Sequence, residues 1–128
     1  MPWFSRRKSK EVWEQEDDKV PVGDIETAHR VRDICASAAS SAEKLARLVN
    51  RPSDKNKKLE AERYDAAKKH ALELAKQISD ELLRDTAVRQ ILNLCMRAND
   101  LETATVLIGA IQNKKIREEM LNEHSSLR

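Results

Sequence analysis

ALELAKQISDELLRDTAV, residues 71–88, laid over ATVLIGAIQNKKIREEML, residues 104–121, matches at an offset of 33. Ala71 falls on Ala104, Leu74 on Leu107, Ile78 on Ile111, Leu83 on Ile116, Arg84 on Arg117 and Val88 on Leu121. In each copy apolar residues recur at helical steps of three and four, a short polar turn interrupts, and the steps resume. The stretch therefore reads as helix, turn, helix, twice over, which is the sequence mark of stacked helical hairpins. Helical hairpins with short turns in general give a similar match. The two readings differ in whether the pairs stack with one hand into a concave groove.

Working outward, Ser79 or Asp80 caps a helix that reaches about Ala98 and turns Leu83, Ala87, Val88, Ile91, Leu92 and Cys95 inward. Within MRANDLETATVL, residues 96–107, Asn99 and Asp100 form a turn, and Asp100 caps a helix from Leu101 to about Ile111. A last short helix runs from about Lys114 to Asn122, and residues 123–128 fray. Upstream, Asp24 is the expected N-cap of a helix to about Asn50. Its Ala28, Val31, Cys35, Ala38, Ala42, Leu45 and Val49 form a heptad seam of mostly small side chains. Pro52 ends that helix, and Ser53 or Asp54 caps the next, from about Lys55 to Ile78. The first half of this second helix is polar, and its apolar stripe begins only at Ala67 and continues through Ala71, Leu74 and Ile78. With no Gly or Pro near Asp65, it reads as one helix. The expected fold is all-α, about five helices in one domain: a long antiparallel hairpin over residues 24–78, then short helix pairs over residues 79–122.

Composition agrees. The 128 residues hold 15 Ala against two Gly and three Pro, which favours helix at nearly every position. Leu, Ile, Val and Phe make up roughly 22% of the chain, so the core must be thin or Ala-rich. A net charge of +2, from 24 basic and 22 acidic side chains, provides no global field for nucleic acid. No run approaches the length of a membrane span, and the N-terminus lacks the apolar core of a secretory signal, so a cytoplasmic location is expected. Cys35 and Cys95 sit singly in apolar patterns, as reduced core thiols do.

The same scan turns up no constellation for catalysis. His29, His70 and His124 lie in separate segments, none at zinc-ligand spacing, and His29 with Asp33 reads as a solvated pair. Either cysteine would need a nearby base to act as a nucleophile, but both fall on expected packing faces, and there is no Gly-rich phosphate loop, with only two glycines to build one. The chain is expected to be non-enzymatic, without metal or cofactor.

Residues 1–23, MPWFSRRKSKEVWEQEDDKVPVG, differ from the rest: a basic run precedes an acidic one, and Trp3, Phe4 and Trp13 are three of the four aromatics. This reads as a flexible tail, with Trp3, Phe4, Arg6, Arg7 and Lys8 as candidates for docking on a partner or, weakly, on an anionic membrane surface. A second patch, Lys55, Lys57, Lys58 and Arg63, offers a phosphate-contacting face, interrupted by Glu60, Glu62 and Asp65.

With the 33-residue period on the page, the chain resembles the tetratricopeptide-repeat family over residues 71–121, the best unit spanning about Asp85 to Glu118. Ala104 takes the small-residue position of the unit's second helix, and Val88, Ile91, Leu92, Cys95, Asn99, Ile108, Ile111 and Ile116 take the others. Val88 stands for the usual Trp, Leu92 for a small residue, Cys95 for Tyr and Asn99 for Gly, and no Pro closes the unit. The resemblance implies a groove lined by the first helix of each pair, here by Thr86, Arg89, Asn93, Met96 and Arg97, and implies that Arg89 and Asn93 donate to a peptide carboxylate. The expected function is a protein-protein interaction module, an adaptor, regulator or assembly factor, with Arg89, Asn93, Met96 and Arg97 as contact residues. Homodimerisation through the first helix's seam, nucleic-acid binding by the Lys-rich helix and peripheral membrane attachment by the tail are the alternatives.

Overall fold

The structure, a computed structural model, describes residues 21–48 and 55–128. Five α-helices follow one another: α1 (Pro21–Arg47), α2 (Lys55–Lys76), α3 (Glu81–Arg97), α4 (Leu101–Ala110) and α5 (Lys114–Glu123). A 3-10 turn, Ser125–Leu127, follows, and there is no strand among the described residues. The fold is all-α, as the periodicity predicts.

At 27 residues α1 is about 40 Å long. It begins three residues before the expected cap, because Pro21 suits a first helical position, where its missing N–H is no loss. Asp24 is therefore not the N-cap of α1. It lies inside the helix, and its carboxylate accepts the backbone N–H groups of Ser79 (3.1 Å) and Asp80 (2.9 Å) instead. The start of α1 is thus tied to the start of α3. At its other end Lys44 pairs with Glu60 near the start of α2 (3.6 Å), so α1 and α2 run antiparallel and α1 and α3 parallel.

The small-residue seam lies against the chain's own helices. Val31, Ala38 and Ala42 are buried, and Ala28, Cys35 and Leu45 pack partly against the same core, while α2 and α3 supply the opposing surfaces. Val49 lies outside the described residues, as do Pro52, Ser53 and Asp54.

α2 runs unbroken through Asp65, but its first half is not wholly solvated, as its polar sequence suggested. Glu60 and Tyr64 are buried there, extending the stripe of Ala71, Leu74 and Ala75 by three turns towards the N-terminus. The phenol edge explains the miss: Tyr64 buries its ring while its hydroxyl reaches a polar partner.

That partner is Asp100. Asn99 follows α3 in the left-handed region (φ 60), the Asn99 N–H bonds to the Met96 carbonyl and the Asp100 N–H to that of Cys95, which is a Schellman ending with Asn where Gly is usual. Asp100 then caps α4 by accepting from Thr103 N (3.3 Å), and its other oxygen accepts from Tyr64 Oη (2.6 Å) and Lys68 Nζ (2.9 Å). Burial pushes the Asp100 carboxyl up, but the bonds from Tyr64, Lys68 and Thr103 outweigh it and hold the group at about 2. Burial, the Asp100 bond and the neighbouring Cys95 raise the Tyr64 hydroxyl far above the ordinary phenol range. A turn between α3 and α4 is in this way bolted to α2.

α3 packs against each of the other four α-helices. Ala87, Val88, Ile91, Leu92 and Cys95 are buried as expected, and so is Leu94, which widens the apolar face and leaves Arg89, Gln90 and Asn93 on the opposite side. Each of Ile91, Leu92 and Leu94 contributes about 1.5–3 kcal/mol by leaving water.

The two turns that follow α2 and α4 carry the same wiring. Arg84 donates to the Ile78 carbonyl (3.2 Å), and Arg117, 33 residues on, to that of Ile111 (3.3 Å). Asp80 caps α3 through Leu83 N (2.9 Å), and Asn113 caps α5 through Ile116 N (3.0 Å). A carboxylate from an earlier helix completes each turn: Asp24 accepts from residues 79 and 80, Asp85 from Gln112 N (3.2 Å) and Asn113 N (2.8 Å).

Candidate functional site

Two parallel helices that meet along part of their length leave a cleft where their facing side chains are small. On α1 the face is Arg32, Cys35, Ala36 and Ala39; on α3 it is Gln90, Asn93, Leu94 and Arg97. Both sets have the spacing i, i+3, i+4, i+7, one stripe per helix. Together they line a cavity of about 260 Å³. Each stripe spans about 10 Å, and because α1 and α3 run parallel, Arg32 stands at the leading end of one and Arg97 at the trailing end of the other. A floor of Cys35, Ala36, Ala39 and Leu94 separates two guanidinium groups.

The lining holds two arginines and no carboxylate. Arg97 donates to Glu43 (2.6 Å) and Arg32 to Asp33 (3.4 Å), both acids standing outside the lining. Both arginine side chains are more than half exposed, and five N–H donors per guanidinium leave several for a ligand. Gln90 Oε1 is a buried acceptor that receives no hydrogen bond among the described residues. The Asn93 carboxamide oxygen lies 2.9 Å from His124 Nε2, which fixes one wall of the cleft. Burial, with Cys95 nearby, raises the Cys35 thiol to about 11, so it stays protonated at neutral pH.

The residues named from sequence divide. Asn93 and Arg97 line the cleft. Arg89 does not: its guanidinium bridges to Glu119 and Glu123 on α5, both at 3.2 Å, and so clamps α5 to α3. Met96 packs against the core. Trp3, Phe4, Arg6, Arg7 and Lys8 lie outside the described residues. Lys55, Lys57, Lys58 and Arg63 all lie on the first half of α2, where Arg63 is 3.8 Å from the buried Glu60.

Sequence reading missed Arg32, Ala36, Ala39, Gln90 and Leu94. The signal for Arg32, Ala36 and Ala39 was present as a second face beside the seam, but periodicity shows each helix's faces without showing which of them meet. A second cavity, about 430 Å³, lies on the other flank of α1 and is lined by Asp33, Ile34, Ser37, Ala38, Ser41, Arg63 and Ala67. Its one acid and one base balance.

Among the described residues no three His, Cys, Asp or Glu side chains are grouped to hold a metal ion, and no helix is long and apolar enough to cross a membrane. No protein-family model, no curated protein and no solved structure matches the chain.

Proposed function

We propose that this chain is a non-catalytic, cytoplasmic protein-binding module, an adaptor, regulator or assembly factor, that takes a segment of a partner protein into the cleft between α1 and α3. The observation that carries the reading is the pairing of the two stripes: two cationic ends, an apolar floor of Cys35, Ala36, Ala39 and Leu94 between them, and no carboxylate in the lining. A peptide with acidic side chains supplies what such a lining lacks, carboxylates for the arginines. In the family that residues 71–121 resemble, first helices of successive pairs line the groove, and α1 and α3 hold that place here. The protonated Cys35 thiol is a poor nucleophile, which favours binding over chemistry at this site.

The test is quantitative capture of binding proteins by the wild type, by Arg32→Glu/Arg97→Glu and by Lys57→Glu/Lys58→Glu. The reading predicts a defined set of proteins that is lost with the cleft substitutions and retained with the α2 substitutions. Identical sets from all three exclude the cleft as the binding surface. Nucleic acid that dominates the capture and disappears in Lys57→Glu/Lys58→Glu replaces this reading with the nucleic-acid one.

A further inference from the structure

We propose that α4 pairs with α4 of a second copy of this chain, antiparallel about a two-fold axis, through an outer face that its own fold leaves uncovered.

The internal repeat identifies the face. Of the ten residues of α4 only Ala104 and Leu107 are buried, whereas Leu101, Glu102, Thr105, Val106, Gly109 and Ala110 are all exposed. At about 100° per residue these six cover one half of the helix, with Glu102 and Gly109 at its middle. Glu102 is the single charge among them. The positions on α2 that match them at the offset of 33 are Lys68, Lys69, Leu72, Glu73, Lys76 and Gln77, four of them charged. Val106, 67% exposed, stands where α2 has Glu73, and Leu101, 41% exposed, stands where it has Lys68. The same face of the same repeated unit is therefore built for water on α2 and for contact on α4.

Gly109 points the same way. Its φ is not positive, and a Cβ added there meets nothing within 4 Å. Neither the backbone nor any contact within the chain calls for glycine, which weakens a helix relative to alanine. At the middle of an exposed face it gives a second helix room to come close.

Charge fixes the occupant and its direction. Glu102 lies in the first turn of α4, and Lys114 and Lys115 open α5 just beyond its last turn. None of the three has an ion-pair partner among the described residues. Antiparallel pairing brings the Glu102 end of each copy to the lysine end of the other, satisfies the same contact twice about the two-fold axis, and opposes the two helix dipoles. Parallel pairing sets like charges together. A face along a helix about 15 Å long is smaller than the ~800 Å² per partner of a standard interface, so the pair is weak and reversible.

The experiment follows the full chain by sedimentation equilibrium from micromolar to millimolar concentration, with helicity checked by circular dichroism. The expected result is a reversible monomer–dimer equilibrium, weakened more than tenfold by Val106→Lys and severalfold by Gly109→Ala, with helicity unchanged in the first and unchanged or higher in the second. Glu102→Lys weakens it severalfold, and adding Lys114→Glu/Lys115→Glu to that variant restores it. Arg32→Glu/Arg97→Glu associates as the wild type does, so this result and the capture test of the cleft are read separately. A wild type that stays monomeric at millimolar concentration overturns the proposal and leaves the face to a different protein. Association that Val106→Lys leaves intact also overturns it, by placing the contact elsewhere on the chain, and so does growth beyond a dimer, which excludes the two-fold axis.

Discussion

The turns Ile78–Leu83 and Ile111–Ile116 share one set of contacts and differ in how deeply they sit. Each has an arginine on the carbonyl that opens it, an Asp or Asn capping the next helix, and a distant carboxylate on two consecutive N–H groups. Asp24, which serves the first, is partly exposed; Asp85, which serves the second, is fully buried. The same hydrogen bonds therefore carry different weight, because water replaces a lost acceptor more readily at the first turn than at the second, where the carboxylate itself is fully buried.

The largest expected effect follows from that contrast. Asp85→Ala leaves two N–H groups without their acceptor in a part-buried turn and opens space in the core, and should lower stability by about 2–3 kcal/mol in urea unfolding. A loss under about 0.5 kcal/mol means that the turn does not depend on its carboxylate. Next comes the turn inside the second helix pair, which is bolted across to α2 rather than back to an earlier helix. Tyr64→Phe removes one charge-assisted bond while Lys68 still holds Asp100, and should cost about 1–2 kcal/mol.

This second turn has its own pH signature. Asp100 is held at about 2, below its ordinary value of 3.8, so its contribution is complete above the unfolded value. It is lost as pH falls from about 4 through about 2, and acid unfolding of Tyr64→Phe should show a smaller decrease across that window than the wild type. An equal decrease in both means that the phenol does not set the depressed value.

Smallest is Asp24→Ala, about 0.5–1 kcal/mol, since water reaches its partners. Asp24 and Asp85 share no partner, so the double variant should lose the sum of the two to within about 0.5 kcal/mol. A larger discrepancy makes the two turns one cooperative unit.

Much of this fold was legible in the sequence, and the misses have physical causes. Apolar spacing and capping chemistry placed α3, α4 and α5 to within a residue or two, and Asp80 and Asp100 cap as their types predict. Asp24 misled because an acidic residue near a helix start is read as a local cap, whereas Pro21 had already begun the helix. Tyr64 and Glu60 were hidden by their polarity, though a phenol spends most of its surface on apolar contact. Asn93 and Arg97, which line the cleft, were named from one helix alone. Arg89 went to α5 and Arg32 came from α1, because partnership between helix faces is decided by packing that no single periodicity records.

The proposed function depends on the α1/α3 cleft binding an acidic peptide segment. Adding a free octapeptide rich in Glu and Asp to the full chain and following backbone amide shifts by NMR tests this directly. The account predicts saturable shifts centred on Cys35, Ala36, Ala39, Gln90, Asn93 and Leu94, absent in Arg32→Glu/Arg97→Glu. Shifts centred elsewhere, or none at millimolar peptide, contradict it.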